Sequence, residues 1–256
     1  MTMKILHIDI ETQPLVVYAW GLYKQNLSIK HIVEPGATLC FAAKWEGDKH
    51  SDIIFRSSFH DGHDAMIQKA HELIDEADVL VHYNGKKFDY PILSQEFMLQ
   101  GLKPPSPVRH VDLLETARKQ FRLPSNKLDY VAQILGVGSK IEHKGMDLWR
   151  DCMNGCEKAW KIMRRYNIQD VNILQKVYKK LLPWIQIHPN HALFTESTRL
   201  VCMNCGSTNL QKRGFAHTHT MSYQRYQCQS CGKWQRERTN CLPKEKKSAI
   251  LNHITE

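Results

Sequence analysis

"ILHIDIETQP", residues 5–14, is the stretch on which the fold turns. Its apolar residues argue for a strand inside a sheet, yet it carries Asp9 and Glu11. Alternate side chains of a strand share a face, so these two carboxylates point the same way, with ~7 Å between their Cα atoms. Like charges that close repel unless a cation lies between them. An exposed strand would pair the acids with Lys or Arg, but "ILHIDI" is too apolar for such a position, and the pair reads as metal ligands.

Outward from this strand, "TLCFAAKW" (38–45) and "DIIFRS" (52–57) read as a β-hairpin joined through Gly47-Asp48. "DAMIQKAHELIDEA" (64–77) has helical apolar spacing, with Asp61 and Asp64 near its start. "DVLVHYN" (78–84) is a further strand, and a helix between two strands invites a parallel crossover. "FDYPILSQEFMLQG" (88–101) reads as a helix with Pro91 in its first turn and Gly101 at its end. "VDLLETARKQF", "LDYVAQIL" and "EKAWKIMRRYNIQDVNILQKVYKKLL" all read as helices. The expected class is α/β, a mixed sheet covered by helices.

The 256 residues, 42% of them apolar, suffice for one large domain or two smaller ones. No apolar run approaches the ~18 residues of a membrane span. Lys4 leads into a polar-studded strand rather than a secretory segment, so the expectation is a soluble, intracellular, cytoplasmic protein. Charge is uneven: of the net +9, residues 197–256 supply +7, from ten Lys or Arg against three Asp or Glu. A basic appendage of this kind suits a polyanion.

Two later segments place acids where they can meet the first pair. "YNGKKFDYP" puts Asp89 just beyond a strand, at the mouth of the sheet where α/β proteins build sites. "YNIQDV" puts Tyr166 and Asp170 four apart, on one helical face. Carboxylates converging in this way are hard oxygen ligands for magnesium or manganese, and a pair of such ions ~3.5–4 Å apart suits phosphodiester cleavage. Alternatives stay open. Asp89 can complement a helix dipole, Asp170 can pair with a neighbouring base, and Asn84, Lys86 and Lys87 fit either a substrate contact or a solvated turn. Asp112 is better read as a helix N-cap than as a fifth ligand.

Asp9-x-Glu11, Asn84-x-x-x-Phe88-Asp89 and Tyr166-x-x-x-Asp170 resemble the three exonuclease motifs of the DEDD (DnaQ-like) superfamily. The pattern over roughly 4–182 is most similar to the proofreading domain of family B DNA polymerases. The resemblance implies an RNase H-like fold and a two-metal 3′–5′ exonuclease. In it Asp9, Glu11 and Asp170 hold a first magnesium or manganese ion, Asp9 bridges to a second that Asp89 supports, and Tyr166 orients the attacking water. The subtype with His in place of Tyr places it one position earlier, and here that position is Arg165.

Near the C-terminus, Cys202, Cys205, Cys228 and Cys231 form two C-x-x-C-G knuckles, a spacing suited to structural zinc. The module resembles zinc ribbons that hold nucleic acid. Lys212, Arg213, Arg225, Lys233, Arg236 and Arg238 interleave with Phe215, Tyr223, Tyr226 and Trp234, as suits a single strand; Phe215 and Tyr226 equally fit a small internal core. His217 and His219 read as turn residues. The expected organisation is a catalytic domain at 1–182, a linker at 183–198, the ribbon at 199–240 and a basic tail at 241–256. DNA, as a single-stranded 3′ end, is the favoured substrate. The competing readings are an RNA exonuclease of the same chemistry and a non-catalytic nucleic-acid adaptor.

Overall fold

The first strand, β1 (Ile5–Thr12), lies at the centre of a five-stranded sheet ordered β5-β4-β1-β6-β7. Its partners are β4 (Thr38–Trp45), β5 (Ile54–Ser57), β6 (Val79–His82) and β7 (Arg109–Asp112). A separate two-stranded ribbon, β2 (Val16–Val17) with β3 (Ile32–Glu34), rises between β1 and β4. The structure, a computed structural model, describes residues 2–196 and 198–254. The first residue of the expected catalytic domain, Ser197 of the expected linker and the last two residues of the expected tail lie outside the described residues. Two compact units are present, Lys4–Tyr178, and Lys179–Glu256 with Met1–Met3.

Alternation along β1 explains the layers. Leu6, Ile8 and Ile10 point one way and are buried with Phe41 and Ala43 of β4. Against them pack Met66, Ile67, Ala70, Leu73 and Ile74 of α2 (His63–Glu76), which follows the single turn α1 (Ser58–Asp61), and Leu93 and Phe97 of α3 (Asp89–Leu99). On the opposite side, Leu39 and Cys40 of β4 cluster with Trp160, Met163 and Tyr166 of α7 (Glu157–Leu181) and with Leu148 and Cys152 of α6 (Met146–Met153). Helices therefore flank both faces of the sheet, and burying a large aromatic such as Phe41 contributes on the order of 2–3 kcal/mol relative to exposure.

β4 runs antiparallel to β1 and β5 antiparallel to β4, as the hairpin reading requires. β6 runs parallel to β1, the expected crossover through α2. One element differs from expectation. "VDLLETARKQF" is not all helix: Arg109–Asp112 add β7 parallel to β6, and α4 (Leu113–Gln120) begins only after it. The strand is too short for periodicity to declare it, and pairing with β6 decides its state. Asp112 marks the switch, capping α4 by accepting from the Leu114 amide at 3.0 Å. α5 (Leu128–Ile134) completes the helices of this unit.

The second unit holds a three-stranded antiparallel sheet, β10 (Trp234–Arg236), β9 (Ser222–Cys228) and β8 (Leu210–His217), and a short helix α8 (Lys244–Ser248). β8 runs through His217, so that residue ends a strand rather than occupying the turn expected for it. Tyr223 and Tyr226 are buried, while Phe215 and Trp234 remain half exposed. Among the described residues no helix is long and apolar enough to cross a membrane.

Candidate active site

Asp9 and Glu11 project from β1 toward the side covered by α7. The β1–β4 register shifts between Glu11 and Thr12, a bulge of the kind that re-aims a side chain beside a site. Asp170 comes from α7, and ligand oxygens of Asp9, Glu11 and Asp170 lie within 4.8 Å of one another. Tyr166 sits one turn before Asp170 on the same helical face and is buried.

Asp89 stands at the start of α3 and is buried beside this group without belonging to that closest set. Its Oδ1 accepts from the Ile10 amide at 3.2 Å, tying the helix to the strand between the two acids.

Two further side chains complete the arrangement. Lys140 Nζ donates to the Tyr166 hydroxyl at 3.1 Å and to Asp170 Oδ2. Its loop is held by its own amide, which donates to Asp129 Oδ1 at 2.8 Å. Asn167 Nδ2 donates to Asp9 Oδ2 at 2.8 Å. Sequence reasoning missed both. Asn167 lies three residues before Asp170, so helical spacing alone was enough to place it on the site face. Lys140 lies in an irregular segment whose path only the tertiary structure defines.

The electrostatics match the crowding. Burial, and then Asp89, Glu11 and Asp170, raise the Asp9 carboxyl well above its ordinary range. Burial and Asp170 push Glu11 up to about 8. Burial raises Asp170 as well, against the opposing pull of Lys140. Burial alone would lower Lys140, but Asp170 and Tyr166 more than reverse it and keep the ammonium protonated. Burial and Asp170 hold Tyr166 above its ordinary value, so its hydroxyl stays neutral and able to donate.

One ammonium does not offset the three closest acids. Asp170 Oδ1 is buried and has no hydrogen-bond partner among the described residues. An unpartnered oxygen within an all-carboxylate donor set fits a hard divalent cation.

The expected substrate contacts are more dispersed. Asn84 adopts φ +70° and its amide donates to Asp112 Oδ1 at 2.9 Å. Lys86 pairs with Glu115 at 3.0 Å on the surface, and Lys87 is exposed. Asn84 nevertheless lines, with Tyr83, Arg118, Lys127 and Lys140, a cleft of about 570 Å³ that reaches Asp9.

In the second unit the sulfur atoms of Cys202, Cys205, Cys228 and Cys231 lie within 4.8 Å of one another. Cys202–Cys231 and Cys205–Cys228 are each 3.6 Å apart, close to the ~3.8 Å expected for ligands at ~2.3 Å around a tetrahedral zinc. Each knuckle closes through its glycine: Gly206 donates to Cys202 O at 2.8 Å and Gly232 to Cys228 O at 2.9 Å. Both have φ above +70°, where a side chain would be strained. The donor set therefore fits a closed structural metal site. Arg225 stacks on Trp234 at 4.7 Å and Arg236 on Tyr223 at 3.7 Å. Arg213 Nε donates to Gln211, and Lys212 is exposed.

Comparison with curated proteins finds no match. Among solved structures the chain is similar to the family B DNA polymerase from the hyperthermophilic archaeon Pyrobaculum calidifontis, with a TM-score of 0.52 at 19% identity. That likeness takes in 71% of this chain but spans only 25% of the polymerase, and it shows a shared fold. The family model that matches covers residues 6–182, the sheet, its flanking helices and all the clustered acids. A mixed sheet with an acidic group on its central strand supports nuclease activity and binding of divalent metal, and the chain belongs to the RNase H superfamily.

Proposed function

We propose that this protein is a metal-dependent 3′–5′ exonuclease that hydrolyses DNA from single-stranded 3′ ends. The observation that carries this reading is the meeting of Asp9, Glu11 and Asp170 around an unpartnered carboxylate oxygen, with the Tyr166 hydroxyl one helical turn away. The proposed catalytic part is residues 1–182, with a linker at 183–198, a zinc ribbon at 199–240 and a basic tail at 241–256.

Asp9, Glu11 and Asp170 would hold magnesium or manganese, with Asp89 supporting a second ion. Bound there, the ions supply a lowered pKa for an attacking water and charge compensation for the leaving 3′ oxygen. Tyr166, neutral at physiological pH, orients that water through its hydroxyl. Lys140 fixes the Tyr166 hydroxyl and one oxygen of Asp170, and Asn167 holds the rotamer of Asp9. Asn84, Lys86 and Lys87 contact the strand near its end. In the ribbon, Cys202, Cys205, Cys228 and Cys231 hold one zinc. Lys212, Arg213, Arg225 and Arg236 bind backbone phosphates and raise the local concentration of substrate.

The test is a 5′-labelled single-stranded oligonucleotide, incubated with full-length protein and magnesium or manganese. A ladder of products shortened stepwise from the 3′ end is expected, with little loss of a matched RNA. Faster loss of the RNA would transfer the same chemistry to an RNA exonuclease. No shortening of either strand, with Asp9→Asn indistinguishable from wild type, would leave only a nucleic-acid-binding adaptor.

A further inference from the structure

Between Glu11 and Thr38 the chain makes an excursion that the catalytic reading does not use. Its base is closed at the edge of the site: Gln13 donates its amide to Ala37 O at 2.9 Å and its side chain to Pro35 O at 2.8 Å. Above the base, β2 and β3 pair Val16 with Glu34 and Val17 with Ile32, and the Tyr18 amide reaches His31 O at 2.9 Å. This stem carries an apolar tip almost entirely in solvent. Trp20 is 99% exposed, Leu22 93%, Tyr23 86% and Tyr18 77%. A stem that orders its backbone while leaving its largest side chains bare marks an interaction surface.

Charge narrows the occupant. Lys24, Lys30 and His31 are set among the aromatics, against the single acid Glu34. Aromatic faces interleaved with cations are what single-stranded nucleic acid requires, since every base offers a π-face and every phosphate a negative charge. A second copy of the tip would set Lys24 and Lys30 against the same two cations, with Glu34 the one acid of 16–34 to offset them. The connection is also short: Trp20 is eight residues from Thr12, so its Cα lies at most ~28 Å from the end of the metal-binding strand.

We propose that residues 16–34 form a stacking platform for the single-stranded substrate, with bases resting on Trp20 and Tyr23 and phosphates neutralised by Lys24 and Lys30. The proposal rests on the nucleic-acid reading of the site and assigns it a second point of contact. The platform holds the strand through backbone and base faces and so has little sequence preference.

The experiment compares wild type, Trp20→Ala/Tyr23→Ala and Trp20→Leu/Tyr23→Leu in the full-length chain. Anisotropy of a labelled 12-nucleotide DNA gives Kd, and kcat/KM is measured for that DNA and for a dinucleotide. The alanine variant is expected to weaken 12-mer binding at least ~10-fold and to lower the ratio of 12-mer to dinucleotide kcat/KM by a similar factor. The leucine variant keeps apolar area without a π-face and is expected to behave like the alanine one. Wild-type binding by either variant would overturn the platform, and loss of a wild-type dimer in sedimentation would assign the tip to a second copy instead. Tight wild-type binding without hydrolysis, lost in both variants, would keep the platform and sink the exonuclease reading. Hydrolysis with variant-independent binding would do the reverse.

Discussion

The acidic cluster and the cysteine cluster gather metal-type ligands by opposite routes. Asp9, Glu11 and Asp170 come from a central strand and a late helix, positioned by a core that includes Leu6, Phe41, Trp160 and Met163. Their scaffold exists before any ion, and the crowded acids strain it. The four thiols instead come from two local knuckles in a module whose described buried side chains between 199 and 240 are few: Cys202, Asn204, Ser222, Tyr223, Tyr226 and Cys228. So small a core does little to offset chain entropy beyond its contacts with Leu182 and Ile185, and a bound ion would supply stability there. In the first region the fold would recruit a metal; in the second a metal would make the fold.

The largest expected effect breaks that contrast from the ribbon side. Cys228→Ser should abolish the bound zinc equivalent measured by elemental analysis, and NMR signals of 199–240 should collapse to random-coil positions while those of 4–178 keep their dispersion. Apparent binding free energies of about 10–16 kcal/mol in zinc-finger peptides set the scale. A ribbon that stayed folded without metal would remove the distinction.

Next comes Asp9→Asn, which keeps the shape and removes a ligand charge. Exonuclease turnover should fall on the order of 10³-fold, the several kcal/mol attributed to metal-assisted charge stabilisation. The melting temperature of the metal-free protein should hold or rise, because a repelling charge has gone. A matching drop in stability would mean that Asp9 serves the fold.

Lys140→Met sharpens the same point with a smaller effect. Losing the ammonium beside Asp170 should destabilise the protein without magnesium or manganese by roughly 1–3 kcal/mol, less than a fully buried pair because Lys140 is about a third exposed. Adding manganese should narrow the gap between variant and wild type, since the ion then neutralises the same oxygens. A gap that manganese leaves unchanged in denaturant titrations would count against metal binding at Asp170.

The gentlest probe is pH. Burial disfavours the charge of Glu11 and pushes its carboxyl in the folded protein up to about 8, against an ordinary 4.5. The folded state then holds a proton that the unfolded chain has released, so stability falls as pH rises from about 4.5 through about 8. Zinc-loaded protein without magnesium or manganese should melt progressively lower across that window, and Glu11→Gln should flatten the slope. A rising melting temperature over the same range would mean that the folded state holds fewer protons than the unfolded chain.

Strong local pattern carried much of the fold. The 3.6-residue spacing around Tyr166 and Asp170 matches α7, and the hairpin of β4 and β5 and the crossover to β6 follow their sequence signals. What the pattern missed is short or irregular. β7 is four residues long and owes its state to β6; β2 and β3 are shorter still and exist only as each other's partners. Boundaries slipped for the same reason: the strand expected from Asp52 begins at Ile54, after a turn of 3₁₀-helix over His50–Asp52.

By itself, the sequence determined which chemistry is present: paired acids at period two on an apolar strand, Tyr and Asp four apart on a helix, and two glycine-terminated cysteine knuckles. These are local rules, written in spacing. Only the tertiary structure decided which acids meet. It set Asp170 against Asp9 and Glu11, turned one Asp89 oxygen to the Ile10 amide, and brought Lys140 from a pattern-free loop to Tyr166 and Asp170. The reason is physical: charges respond to distance and burial, and both are settled by how the helices pack on the sheet.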